Sequence, residues 1–113
     1  MSKIRSDIWC AAFIRSQNDL GNFCVIAKKG HESAGQIWIE VDHLNNSFSL
    51  FSPAPMLKYD IEKYQFERVF EKRLSDALEN EVKEKITQEI NFDPDIWVIA
   101  LEKRDADIGL ELV

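Results

Sequence analysis

The chain has 113 residues, 45% of them hydrophobic and 30% charged, the composition of a single globular domain with one modest core. A net charge of -6 and a pI near 4.9 oppose non-specific association with nucleic acid or an anionic membrane surface, because both would repel the chain. No stretch approaches the ~20 apolar residues of a membrane-crossing helix, and Arg5, Asp7, Arg15 and Asp19 surround the early apolar run, which is not the pattern of a secretory signal.

These features lead to the expectation of a cytoplasmic protein. Cys10 and Cys24 both sit inside apolar runs and read as small buried hydrophobes rather than as a disulfide framework.

Residues 6–20 read as a helix, with Ser6 or Asp7 as N-terminal cap and Gly21 closing the C-terminus in the left-handed conformation. Apolar residues cover much of its circumference, so it should pack deeply. The run Ile8–Ile14 also fits the start of a buried strand. Residues 22–29 read as a strand, Gly30 to Gly35 as a loop, and residues 36–42 as a second strand. In that second strand Ile37, Ile39 and Val41 face one way, and Trp38 and Glu40 the other. The two runs are expected to form a hairpin.

After a turn at Leu44-Asn45-Asn46, Ser47–Phe51 reads as a third strand, ended by Ser52-Pro53-Ala54-Pro55. Residues 56–64 read as a loop with a short turn. Residues 64–72 alternate like a strand through Tyr64, Phe66, Arg68 and Phe70, though Phe66, Val69, Phe70 and Leu74 also fit a helix. Ser75–Glu89 is the plainest helical pattern: Ser75 as cap, a stripe of Leu78, Val82, Ile86 and Ile90, and Glu79–Lys83 and Glu81–Lys85 as favourable pairs. Asp93-Pro94-Asp95 is a stiff corner leading into residues 96–103, a strand apolar on both faces and hence central. Residues 104–113 read as a loose edge. The order α-β-β-β-(β)-α-β predicts an α+β domain over residues 1–113: a mixed, mainly antiparallel sheet with helices packed on it in two layers.

Several landmarks resemble a small alphaproteobacterial family, domain of unknown function 1491. They are Ile8-Trp9-x-x-Ala12, Gly21, Gly30-x-x-x-Ala34-Gly35, and Phe92-Asp93-Pro94-Asp95-Ile96-Trp97-Val98 followed by Glu102 and Arg104. Residues 53–90 match in pattern only, and Ala100 stands where the family more usually has an acidic residue. The resemblance implies a compact cytoplasmic domain and no transferable activity.

Asp93 and Asp95, with Glu102 and Arg104, invite comparison with a metal-dependent nuclease site. Asp95 and Glu102 lie roughly 23 Å apart along one extended strand, beyond the span of one ion with ligands at about 2–2.5 Å. A backbone-capping role for Asp93 or Asp95 fits better. The Gly30–Gly35 segment lacks phosphate-loop spacing and reads as a connecting loop. His31 and Glu32 lie about 20 Å from Asp42 and His43 across one strand, too far to share a metal. The sequence therefore assigns no metal, no cofactor and no catalytic residue. Neither cysteine has a nearby histidine in sequence, and there is no G-x-S-x-G motif.

Trp38 and Glu40 are candidate binding residues. If Ile37, Ile39 and Val41 face the helices, Trp38 lies on an open face as a partner anchor; if both faces are covered, it is core. Basic residues such as Lys28, Lys29, Arg68, Lys72 and Arg73 are interleaved with Glu62, Glu67 and Glu71, so a nucleic-acid surface is disfavoured. The leading expectation is a non-enzymatic interaction module, binding a protein partner or a second copy of itself. The rivals are a small ligand-binding domain or enzyme with its site near Asp93, Asp95 and the Gly30–Gly35 loop, and, more weakly, an RNA-associated accessory protein.

Overall fold

The first helix begins where a loop hands it hydrogen-bond acceptors. In the computed structural model, which describes residues 3–113, α1 spans Ser6–Asp19. Its first N–H groups, on Ser6 and Asp7, donate to the carbonyls of Ser33 and Glu32 at 3.4 and 2.9 Å. Tertiary contact thus does the work expected of a side-chain cap. Arg5 holds the N-cap position without a side-chain capping bond, and Ser6 and Asp7 lie inside the helix. Gly21, at φ +89°, closes the other end as the sequence suggested.

The strands are β1 (Cys24–Lys28), β2 (Ile37–Asp42), β3 (Phe48–Pro53), β4 (Val69–Ala77), β5 (Trp97–Glu102) and β6 (Glu111–Leu112). They form a six-stranded mixed sheet in the order β1-β5-β2-β3-β4-β6. The pairs β1–β5, β2–β3 and β3–β4 are antiparallel; β2–β5 and β4–β6 are parallel. The expected β1–β2 hairpin does not form, because β5 inserts between the two strands. Its residues are apolar on both faces, so an interior place with a neighbour on each edge suits it. Alternation along β1 and β2 sets which side chains share a face, but it does not name the partner strand.

Between β3 and β4 the chain makes one short 3₁₀ turn, Met56–Lys58. Pro53 stays within β3 because β2 pairs with it only as far as Phe51. The proline therefore lies on a stretch that needs no N–H toward β2. The strand expected near residues 64–72 exists but starts later, at Val69, and runs through Ser75 to Ala77. The second helix, α2, is therefore Glu79–Phe92, and Ser75 does not cap it. Instead the Glu81 carboxylate accepts the Leu78 backbone N–H at 2.8 Å. Pairing with β3 overrides the helical composition of residues 75–77. The tail is an edge, as expected, but not a loose one: Ile108 is buried and its carbonyl accepts a bond from Gln17 Nε2 at 3.2 Å.

The helices cover opposite faces, making three layers rather than two. On one face Ile37, Ile39, Val41, Phe51, Ile99 and Leu101 pack against Cys10 of α1, with Trp9 and Phe13 alongside. On the other, Trp38, Leu50 and Val98 pack against Val82 and Ile86 of α2. No helix among the described residues is long and apolar enough to cross a membrane.

Candidate functional site

The faces of α1 are unequal. Trp9 and Phe13 stack on one another, with ring centroids 5.1 Å apart, and Trp9 reaches Phe70 at 5.5 Å. The side turned toward β1 carries Ala11, Ile14 and Asn18, at helical spacing of three and four residues. Small Ala11 leaves space there. The result is a groove of about 590 Å³ between α1 and β1, with Cys10, Ala11, Ile14, Ile26 and Trp97 as its apolar lining. Asp7, Arg15, Asn18, Asp19 and Lys29 supply its polar lining. Arg5 holds Asp7 through two contacts of 3.2 Å, which keep its carboxyl below the usual carboxylate range. Among the described residues Arg15 and Lys29 have no ion-pair partner.

The outer border of the groove is a sheet edge, since β1 pairs only with β5. Part of that edge is blocked. The Cys24 N–H donates to Asn18 Oδ1 at 3.1 Å, and Asn18 Nδ2 donates to the Cys24 carbonyl at 3.4 Å. The side-chain amide occupies the place of a neighbouring strand residue, which is a way to blunt an exposed edge. Backbone groups alternate in direction along a strand, so those of Ile26 point outward as well. The register breaks between Ile26 and Lys28. The open ladder position is therefore Ile26, beside the groove. Replacing Asn18 with alanine is expected to cost about 1 kcal/mol of stability and to raise self-association by freeing the Cys24 groups. Thermal unfolding and sedimentation velocity check both effects, and no change in either would contradict this role.

The residues singled out from sequence fare differently. Trp38 is 2% exposed, so it is core and not a surface anchor. Both sheet faces are covered, which the alternation of β2 alone did not reveal. Glu40 is 5% exposed beneath α2, where Lys83 Nζ donates to its two carboxylate oxygens at 2.8 and 3.0 Å. Lys83 therefore reaches β2 rather than Glu79, and Lys85 pairs with Glu89 at 3.2 Å rather than with Glu81. Asp42 and Glu102 stand side by side in the β2–β5 register. Among the described residues no group of three or more His, Cys, Asp or Glu converges to hold a metal ion.

The structure does bring the Asp93–Asp95 corner against the Gly30–Gly35 loop. They are joined through backbone groups, while Asp95 itself is exposed. Asp93 Oδ1 accepts the Asp95 N–H at 3.0 Å, and the Asp95 carbonyl accepts the His31 N–H at 2.8 Å. Lys28 Nζ donates to the carbonyls of Pro94 and Ile96 at 2.6 and 3.1 Å, and the Trp97 indole donates to the His31 carbonyl at 2.8 Å. His43 is buried and doubly engaged: Nδ1 donates to the Lys103 carbonyl at 2.7 Å, and Nε2 is bonded to Ser49 Oγ at 2.8 Å. Burial pushes the Cys10 thiol up to about 12 and the Cys24 thiol up to about 11, so both are neutral and poor nucleophiles near neutral pH.

A family model described as "Protein of unknown function (DUF1491)" matches residues 4–111. The chain belongs to the DUF1491 family. The solution structure of protein Atu0922 from A. tumefaciens is 31% identical, with a TM-score of 0.84, over 98% of this chain and 95% of that one. A crystal structure of a DUF1491 family protein from Caulobacter crescentus is 28% identical, with a TM-score of 0.78, over 97% of each chain. An NMR structure of a DUF1491 family protein from the same organism gives 28% and 0.78 over 100% and 99%. A comparison with curated proteins found no match. Gly30, Gly35, Asp93, Pro94 and Asp95 meet at one structural corner, whereas of the residues that build the groove only Trp97 adjoins it.

Proposed function

We propose that this DUF1491 domain is a non-enzymatic protein-interaction module that receives an extended segment of a partner protein along the free edge of β1. One apolar side chain of that segment enters the groove between α1 and β1. The observation that carries this reading is the adjacency of an open strand edge at Ile26 to an apolar groove of about 590 Å³. Strand addition beside a helix gives main-chain hydrogen bonds for affinity and a side-chain pocket for specificity. Because Asn18 already occupies the Cys24 position, the added ladder is short and the groove supplies most of the binding energy. A carboxylate flanking the inserted side chain would meet Arg15 or Lys29. The two free, buried cysteines suit a reducing compartment, and we place the protein in the cytoplasm on that ground.

The Asp93–Asp95 corner favours no enzyme reading, since its carbonyls bind the loop and Lys28, and the Asp93 carboxylate caps the corner itself. Panning a random peptide library against the immobilised domain tests the proposal. Enriched peptides should share an apolar residue, and Ile26→Asp should weaken them by about tenfold or more, equivalent to ~1.4 kcal/mol. Glu102→Gln, an exposed change outside the groove, should not. Circular dichroism would establish that Ile26→Asp still folds. No enrichment, or binding indifferent to Ile26→Asp, would count against the module. A concentration-dependent dimer lost in Ile26→Asp would instead identify a second copy of the chain as the occupant.

A further inference from the structure

Arg68 stands just before β4 with its guanidinium half-buried and no carboxylate paired with it. Nη2 donates to the Ile4 carbonyl at 2.7 Å and to Ser6 Oγ at 3.2 Å. Nε is buried and has no hydrogen-bond partner. Among the described residues no acid lies within ion-pair distance. Glu67 and Glu111 line a neighbouring hollow on Arg68 without pairing with it. The ionisable neighbour that does act on it, the Cys10 thiol, is held neutral by burial. A guanidinium cannot escape this situation by losing its proton. An uncompensated, partly desolvated charge with an orphan N–H calls for a counter-ion.

The hollow beside it has the matching chemistry. Arg68, Lys3 and Tyr59 line it together with Pro53, Ala54 and Phe70, and no carboxylate is among its lining residues. In a chain of net charge -6, an acid-free hollow with two cations and a phenol is a selective environment. Its volume is about 80 Å³. That is a few times the ~30 Å³ share of one water molecule and far below the ~300 Å³ of a drug-sized pocket. It suits one oxyanion group rather than a nucleotide. The planar fork of arginine is also the side chain best shaped for phosphate and carboxylate oxygens.

We infer that this hollow is a binding site for a small oxyanion, with the Arg68 guanidinium as principal donor and Lys3 and Tyr59 as supporting ones. The site is separate from the groove and independent of it.

The test is a titration of the full chain with inorganic phosphate, acetate and phosphoserine, following the backbone amide resonances of Ala54, Val69 and Phe70, which line the hollow and are present in every variant, at ionic strength held constant with chloride. A saturable shift with phosphate or acetate is expected, and comparison of the two identifies the preferred geometry. A response to phosphoserine as strong as that to phosphate would mean that the site takes the group on a larger ligand; phosphate alone would mean the free ion. Arg68→Lys, which keeps the charge but loses the fork, should abolish the saturable response. Lys3→Gln should weaken it about threefold and keeps the test open if Arg68 variants fold poorly. Equal shifts with chloride, no saturation, or full binding in Arg68→Lys would overturn the assignment.

Discussion

Gly30→Ala is expected to destabilise the domain by about 3 kcal/mol, a large share of the ~5–15 kcal/mol that holds a domain of this size together. A methyl group at Gly30 would overlap the Asp95 carbonyl oxygen and lie 2.6 Å from the Ile96 carbonyl carbon. These are backbone atoms of the corner that launches β5, so they cannot rotate aside as a side chain would. Gly35 faces the same oxygen and also the Trp97 ring at 2.9 Å. The loop and the corner therefore approach so closely that only glycine fits between them. Gly21 supplies the comparison. It has φ +89° and open space around it, so Gly21→Ala carries only the conformational cost of a left-handed residue, roughly 1–2 kcal/mol. Urea unfolding of the three proteins measures the difference. A Gly30→Ala midpoint close to wild type, or one less affected than Gly21→Ala, would show that the corner yields.

Trp38→Ala is expected to cost about 3–5 kcal/mol, the usual penalty for emptying an aromatic site in a core. The ring packs in the cluster of Leu50, Val82, Ile86, Ile96 and Val98, and the Arg73 guanidinium lies over it at 5.3 Å. Its loss would leave a cavity between α2 and the sheet, which neither element can fill without shifting. Chemical denaturation should show the lowered stability, with loss of tertiary signal at lower urea. A variant of unchanged stability that had lost only an association would contradict the placement of Trp38 in the core.

The contrast between these two sites shows what the sequence made legible. The Asp93-Pro94-Asp95 corner and the apolar run after it are local signals, and the expected helix-corner-strand passage is present. So are α1 with its glycine stop and the interior position of β5. The two glycines of the loop were visible as a loop, but their real demand is a non-local one, set by a backbone some 60 residues away. The start of α2 is misplaced from sequence because Ser75, Asp76 and Ala77 resemble a helix entry when read alone, yet Ala77 pairs with Phe48 of β3 and Ser75 and Asp76 fall at the register shift before it. The burial of Trp38 followed from which helix lies on which face, and alternation within β2 carries no information on that.

The groove was the least legible part of all. Ile26 and Ala11 gave only ordinary core or helix signals, and Ile26 becomes an edge residue only because β5 takes the other side of β1. Asn18 looked like one more polar helix residue; its service to Cys24 depends on the reversal at Gly21. Arg68 likewise shows as one of several scattered cations, and its want of an ion-pair partner among the described residues is a fact of three dimensions.

Amide hydrogen exchange at Ile26, with and without a groove-selected peptide, tests the central claim most directly. A segment added as a strand to β1 must take up the outward N–H of Ile26, so exchange there should slow in proportion to occupancy, while exposed amides on the far edge at β6 keep their rates. An Ile26 amide that exchanges equally fast in the bound and free protein would contradict strand addition at this edge.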